Sequence, residues 1–283
     1  MQDQTLERLA RLGYASRGVV YILVGGLAVL AAFGSGGQTT DSRGGLLTLL
    51  SQPFGAIWLG AIGAGLLIFA VWRLLQAGFD ADHLGREWQP VIRRVGFGIS
   101  SIVYVVLGIT AVAWALGLAS PFKDSESSAK DWTAYILSVP LGRWLVGAFA
   151  LVVVGLGIAL VLKAWTVKVE EHLALDGPAR LWILPLGRIG FVARGLVFLT
   201  VGVFLLYAAI YSDAREARGL AGALKALQAQ PYGRVLFAST AMGLFAFGLF
   251  QFAVAYYRSI DVSKVKATAE NLERKARVQV SAK

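Results

Sequence analysis

The chain has 283 residues, of which 57% are hydrophobic and 16% charged, with a formal net charge of +10. A soluble domain carries nearer about a quarter charged residues, so this composition excludes an ordinary water-soluble enzyme domain. Cysteine is absent, which excludes disulfide frameworks and thiolate metal sites.

Residues 1–11 are polar and mixed in charge, without the small-residue cleavage site of a secretory leader. The first span is therefore expected to act as its own insertion signal. It opens on Arg11-Leu12-Gly13-Tyr14-Ala15-Ser16-Arg17-Gly18-Val19-Val20-Tyr21 and runs uncharged over 18–34. Next come Leu46-Leu47-Thr48-Leu49-Leu50 and Pro53-Phe54-Gly55, inside an uncharged run over 44–72. The opening returns as Arg94-Val95-Gly96-Phe97 with Tyr104, in the run 95–122. Trp132-Thr133-Ala134-Tyr135-Ile136-Leu137 and Pro140-Leu141-Gly142 follow, before the run 144–162. A third copy reads Arg188-Ile189-Gly190-Phe191-Val192-Ala193-Arg194-Gly195-Leu196-Val197-Phe198, with the run 195–212. It too leads to a leucine-rich stretch, 220–227, then Pro231-Tyr232-Gly233 and the run 235–257.

Each run is close to the roughly 20 apolar residues a helix needs to cross the hydrocarbon core. The runs are continuously apolar, not alternating as barrel strands are. A helix also satisfies its own backbone hydrogen bonds where there is no water. The expectation is an all-α membrane protein with six transmembrane helices in three two-helix repeats, 9–80, 92–168 and 186–258. A basic cytoplasmic tail over 259–283 follows. Because each repeat holds an even number of spans, all three share one orientation, so they are parallel, around a pseudo-threefold axis along the membrane normal. The three leucine-rich stretches are expected as short amphipathic helices at the outer surface. At Pro53, Pro140 and Pro231 proline breaks that helix and presets the first turn of the next span, with Gly55, Gly142 and Gly233 beside it.

Lysine and arginine number 19 on the side of the termini and 8 on the other. By the positive-inside rule both termini are cytoplasmic. The expected location is a bacterial plasma (inner) membrane. All eight tryptophans fall near span ends or in connections, as an interfacial belt requires. The basic charge is spread over loop edges, which fits attraction to anionic headgroups on the cytoplasmic side and not nucleic acid.

Residues 14, 17, 18, 21 and 25 recur at helical spacing and share one face. Gly18, Gly195 and the glycine-rich second spans allow close helix approach. Arg17 and Arg194 are expected to snorkel to phosphate as orientation anchors. A sharper alternative makes them an anion or lipid-headgroup site, asymmetric because Ser100 replaces arginine in the second repeat. Arg73, whose repeat equivalents are Leu160 and Gln251, is also expected to snorkel.

The pattern resembles the bacterial domain-of-unknown-function family 1206, whose members carry three two-span repeats with an aromatic-x-x-Arg-Gly-x-x-Tyr core. The match is Tyr14, Arg17, Gly18 and Tyr21, then Phe191, Arg194, Gly195 and Phe198. The second repeat keeps Phe97 and Tyr104 but has Ser100 and Ser101 where Arg and Gly would stand. The resemblance implies a multi-pass inner-membrane protein and no activity that could be carried over.

No cofactor or metal is expected. Both histidines, His83 and His172, fall in connections, so haem and copper lack their usual ligands. Asp80, Asp82, His83 and Glu87 beside Arg86 read as solvated loop charges. No span contains an acidic residue, against proton or cation coupling. No catalytic grouping stands out, so the expected function is a non-enzymatic scaffold or accessory protein. The alternative is a transporter or channel along the axis, lined by Ser100, Ser101, Thr110, Thr200, Ser239, Thr240 and Gln251.

Overall fold

The structure is a computed structural model that describes residues 2–33, 42–79, 88–118, 125–166 and 179–257. The 259–283 tail, the cluster of Asp80, Asp82, His83, Arg86 and Glu87, and His172 lie outside the described residues. The described secondary structure is helical throughout: α1 (Gln2–Ala32), α2 (Ser42–Leu50), α3 (Gly55–Phe79), α4 (Trp88–Ala115), α5 (Ser125–Leu137), α6 (Gly142–Trp165), α7 (Ala179–Tyr211), α8 (Leu220–Gln228) and α9 (Gly233–Tyr257). Within them, Ala10–Ala32, Gly55–Gly78, Gly96–Ala115, Gly142–Trp165, Ala179–Tyr211 and Gly233–Tyr257 are long and apolar enough to span a bilayer. The chain is a multi-pass membrane protein built of repeats. The three leucine-rich stretches are the short helices α2, α5 and α8.

Proline does not open the second spans, as the sequence had suggested. Those helices begin at Gly55, Gly142 and Gly233, two residues later. The residue between, Phe54, Leu141 or Tyr232, has a left-handed backbone with φ of 59°, 62° or 60°. The glycine is required by contact: a Cβ at Gly55, Gly142 or Gly233 would strike the carbonyl of Leu49, Ile136 or Gln228 at the end of the preceding short helix.

The closest helix packing runs between repeats, not within them. α1 lies most extensively on α9, α3 on α4 and α6 on α7. Aligned on their Arg and Pro signatures, the three interfaces share one register. A Cβ at Gly25 would meet the backbone of Phe245, at Gly108 the side chain of Leu67, and at Gly202 the backbone and side chain of Val154. Each of these partners stands 14 residues beyond its repeat's proline. About two turns nearer the termini along α1 and α7, Gly18 crosses Gly248 and Gly195 crosses Gly157, with carbonyls 2.8–3.0 Å from where a Cβ would be. The second repeat has Ser101 opposite Ala70 instead, and the Ser101 hydroxyl donates to the Ala70 carbonyl at 2.8 Å. Small residues at these crossings give van der Waals contact where lipid offers no hydrophobic drive.

Within repeats the equivalence fails once. α1 packs on α3, and α7 on α9, but no packed interface joins α4 to α6 among the described residues. The spans form a ring open at the second repeat. A Cβ at Gly13 would lie 2.8 Å from Phe69, and one at Gly190 would lie 2.6 Å from Phe247. A Cβ at the equivalent Gly96 meets nothing within 4 Å among the described residues. Val103 is 57% exposed where its counterparts Val20 and Val197 are 3% and 4% exposed. Leu156 is 41% exposed where Phe69 and Phe247 are 0% and 1%. Arg94 adds to the asymmetry, because it holds α4 to the preceding span: its Nε and guanidinium donate to the carbonyls of Ala77 and Gly78 at 2.7 and 2.8 Å. Cations are favoured at such a helix C-terminus.

Candidate functional site

The repeat motif converges in the ring interior, in the half of the spans nearer the termini. α1 supplies Tyr14, Arg17 and Tyr21, while α7 supplies Phe191, Arg194 and Phe198. α4 contributes Phe97 and Tyr104. To these the second spans add Phe69 and Arg73 from α3, and Phe247 and Gln251 from α9. Tyr14 packs edge-on against Phe69 at 5.0 Å between centroids, and its repeat counterpart Phe191 against Phe247 at 5.5 Å. Across repeat boundaries Tyr104 meets Phe69 at 4.9 Å and Tyr21 meets Phe247 at 4.8 Å, again edge-on. These geometries present ring edges to ring faces, the favoured arrangement for aromatic quadrupoles.

Cations thread this lattice. The Arg17 guanidinium carbon lies 5.2–5.6 Å from the ring centres of Phe247, Phe69, Tyr21 and Tyr104. That of Arg194 lies 4.7 Å from Phe247, 5.3 Å from Tyr21 and 5.7 Å from Phe198. Both arginines therefore share the Tyr21 and Phe247 rings. Arg73 stands 4.9 and 4.8 Å from Phe69 and Phe97 and donates to Gln76 at 3.1 Å. On α6, the Lys163 ammonium lies 4.9 Å over Phe191.

Arg17 is only 6% exposed, so it does not snorkel. The reason is helix length: α1 begins at Gln2 and its membrane-spanning part at Ala10, which leaves Arg17 two turns inside. Its guanidinium donates to Gln251 Oε1 at 3.4 Å. Arg194 is half-buried, and the Nε atoms of both Arg17 and Arg194 are buried without a hydrogen-bond partner among the described residues. Arg73 packs on rings instead of reaching outward. The spans contain no aspartate or glutamate, so no carboxylate within them faces these charges. Among the described residues there is no group of His, Cys, Asp or Glu that could hold a metal.

Other expected residues fall outside this site. Gly18 and Gly195 face neighbouring helices at the crossings, and Pro53, Gly55, Pro140, Gly142, Pro231 and Gly233 form the turns between the short helices and the second spans. The residues suggested to line an axial path are mostly occupied. Thr110, Thr200, Ser239 and Thr240 donate to carbonyls of their own helices, Ser101 bonds Ala70, and Gln251 accepts from Arg17. Trp72 and Trp114 are buried against neighbouring helices. The partners the motif missed are Phe69 and Phe247. Both stand 16 residues past their repeat's proline, a recurrence that could have found them.

Three segments, 12–80, 95–167 and 189–258, match the family described as Domain of Unknown Function (DUF1206). The chain belongs to that family. Along 92% of its length it is 33% identical, over 269 residues, to a Bacillus subtilis (strain 168) protein named "Uncharacterized protein YxxB", 94% of which is covered. No solved structure matches the chain. The matched segments of the family contain every arginine and aromatic residue of the core described above.

Proposed function

We propose that this protein is a non-enzymatic accessory component of a bacterial plasma membrane, with both termini cytoplasmic, whose arginine–aromatic core holds a negatively charged group. One observation carries the reading: Arg17 and Arg194 are gathered around the same two rings, with no carboxylate on any span. A single charge at the bilayer centre costs at least about 2.5 kcal/mol. Desolvated cation–π contact returns about 2 kcal/mol, and the two like charges repel each other. An anion between them supplies the missing balance and bonds the open Nε positions. A phosphate-type oxyanion suits guanidinium geometry best.

The test uses the purified protein in zwitterionic micelles with dodecyl phosphate as probe. The thermal midpoint rises with probe concentration in the wild type. It does not rise in the double variant Arg17→Gln/Arg194→Gln. An equal rise in both proteins refutes the reading. Flux of a polar solute in proteoliposomes would replace the accessory role with transport.

A further inference from the structure

We propose that the open seam between α4 and α6 is a lateral entrance through which an anionic glycerophospholipid of the surrounding bilayer docks, its acyl chains lying in the seam and its phosphate turned toward Arg17 and Arg194. The proposal rests on the anion reading above and names the ligand and its route.

Two independent observations meet here. The first is the seam itself. At three positions where the other repeats seal their hairpins, the second repeat is unsealed: a Cβ at Gly96 meets no described residue within 4 Å, Val103 is exposed, and Leu156 replaces a buried phenylalanine. Ile99 on α4 and Val152 on α6 complete the apolar walls, and both are exposed. Their counterparts in the third repeat, Ala193 and Gly243, are buried against each other. A seam so lined suits hydrocarbon. The second observation is charge. Arg17, more than nine-tenths buried with an unbonded Nε, stands 5.6 Å from the ring of Tyr104, a residue of α4 itself. Arg194 and Arg17 converge on the rings behind that wall, and Lys163 lies toward the terminal end of α6. Apolar walls that end in cations complement a molecule with two hydrocarbon chains and an anionic head. A partner helix would satisfy only the walls, and a free ion only the cations.

The absence of arginine at Ser100 fits the same picture. The second repeat carries a small hydroxyl where the others carry a guanidinium. A third arginine there would project into the space that the headgroup needs.

The experiment reconstitutes the full chain in phosphatidylcholine nanodiscs containing a trace of photoreactive phosphatidylglycerol or, separately, photoreactive phosphatidylcholine. Attachment sites are mapped by mass spectrometry. The expected result is several-fold preference for phosphatidylglycerol, with attachment concentrated on 96–103 and 152–163. Arg17→Gln/Arg194→Gln brings phosphatidylglycerol down to the phosphatidylcholine level. Gly96→Trp and, independently, Val152→Trp fill the seam and lower attachment several-fold. Each is scored only with its thermal midpoint at the wild-type value in lipid-free micelles, and both positions face open space. Excess inorganic phosphate at matched ionic strength does not compete. Attachment spread evenly over all lipid-facing helices overturns the proposal, as does equal labelling by both lipids. Displacement by inorganic phosphate would assign the cations to a free ion, and attachment between α4 and α6 of different molecules would assign the seam to a second copy. If dodecyl phosphate still stabilises the wild type while these arms fail, the seam falls and the anion reading stands. If both fail, both fall.

Discussion

Three repeat-equivalent glycines provide a built-in comparison. Gly13, Gly96 and Gly190 occupy the same position of the motif, and alanine at each adds one methyl group. At Gly13 that methyl would lie 2.8 Å from the Cα and Cβ of Phe69, and at Gly190 2.6 Å from the Cβ of Phe247. Carbon atoms rest at about 3.5–4.0 Å, so each hairpin must open by roughly 1 Å. Overpacking of this kind costs about 1–3 kcal/mol. The helical preference of alanine over glycine offsets up to about 1 kcal/mol. Gly13→Ala and Gly190→Ala therefore destabilise by about 1–2 kcal/mol. At Gly96 the methyl meets nothing, and only the propensity gain remains, so Gly96→Ala is neutral or stabilising by up to about 1 kcal/mol. The gap between them, about 2 kcal/mol, is readable by equilibrium unfolding in mixed micelles. If Gly96→Ala costs as much as the other two, the second hairpin is closed and the reasoning fails.

Tyr232→Gly removes a left-handed side chain and stabilises by about 1 kcal/mol, whereas Gly233→Ala drives a Cβ into the Gln228 carbonyl and costs about 1–3 kcal/mol; thermal midpoints report both. Arg17→Met removes a buried charge whose ring contacts and desolvation nearly cancel, so the midpoint in zwitterionic micelles shifts little, but stabilisation by dodecyl phosphate disappears. In the cysteine-free background, cysteine at Ser51 or Ser138 reacts with an impermeant maleimide added to intact cells, and cysteine at Thr166 reacts only after permeabilisation. Asp213, outside the spans, is held below the usual carboxylate range by hydrogen bonds from the Arg215 side chain and backbone N–H. That contact is fully formed above the unfolded pKa of about 3.9 and is lost as pH falls through the lower folded value; NMR titration of the Asp213 carboxyl checks it, and an unshifted midpoint would contradict it.

The repeats, spans and short connecting helices were legible because each depends on a local signal: an uncharged stretch, an apolar cluster, a proline two residues before a glycine. The motif residues Tyr14, Arg17, Tyr21 and Arg194 and their aromatic partners lie together in the structure. Their environment was not legible. An arginine near a span end reads as a snorkelling anchor unless the helix is known to begin well before it, and α1 starts 15 residues upstream of Arg17. Which helices pair most closely was not legible for a different reason. Chain continuity suggests that hairpin partners pack most closely, yet the paired glycines that permit close approach stand across repeat boundaries, as at Gly18 with Gly248 and Gly63 with Gly108. The seam shows only when the repeats are compared: Leu156 stands where the others have Phe69 and Phe247, and Ile99 and Val152 where the third has Ala193 and Gly243. Valine stands at 20, 103 and 197 alike, because a side chain facing lipid and one facing a helix have the same hydrophobic requirement.

Distances between spin labels on three equivalent helix pairs test the open second repeat most directly. Phe33 with Ile57, Leu116 with Trp144, and Ile210 with Val235 are repeat-matched, and all six side chains are exposed. Labels on the first and third pairs report helices packed at interaxial distances of about 8–10 Å, so these two separations agree with each other. The Leu116–Trp144 separation is longer than both. Three equal separations would show a closed, fully symmetric ring and remove the lateral entrance.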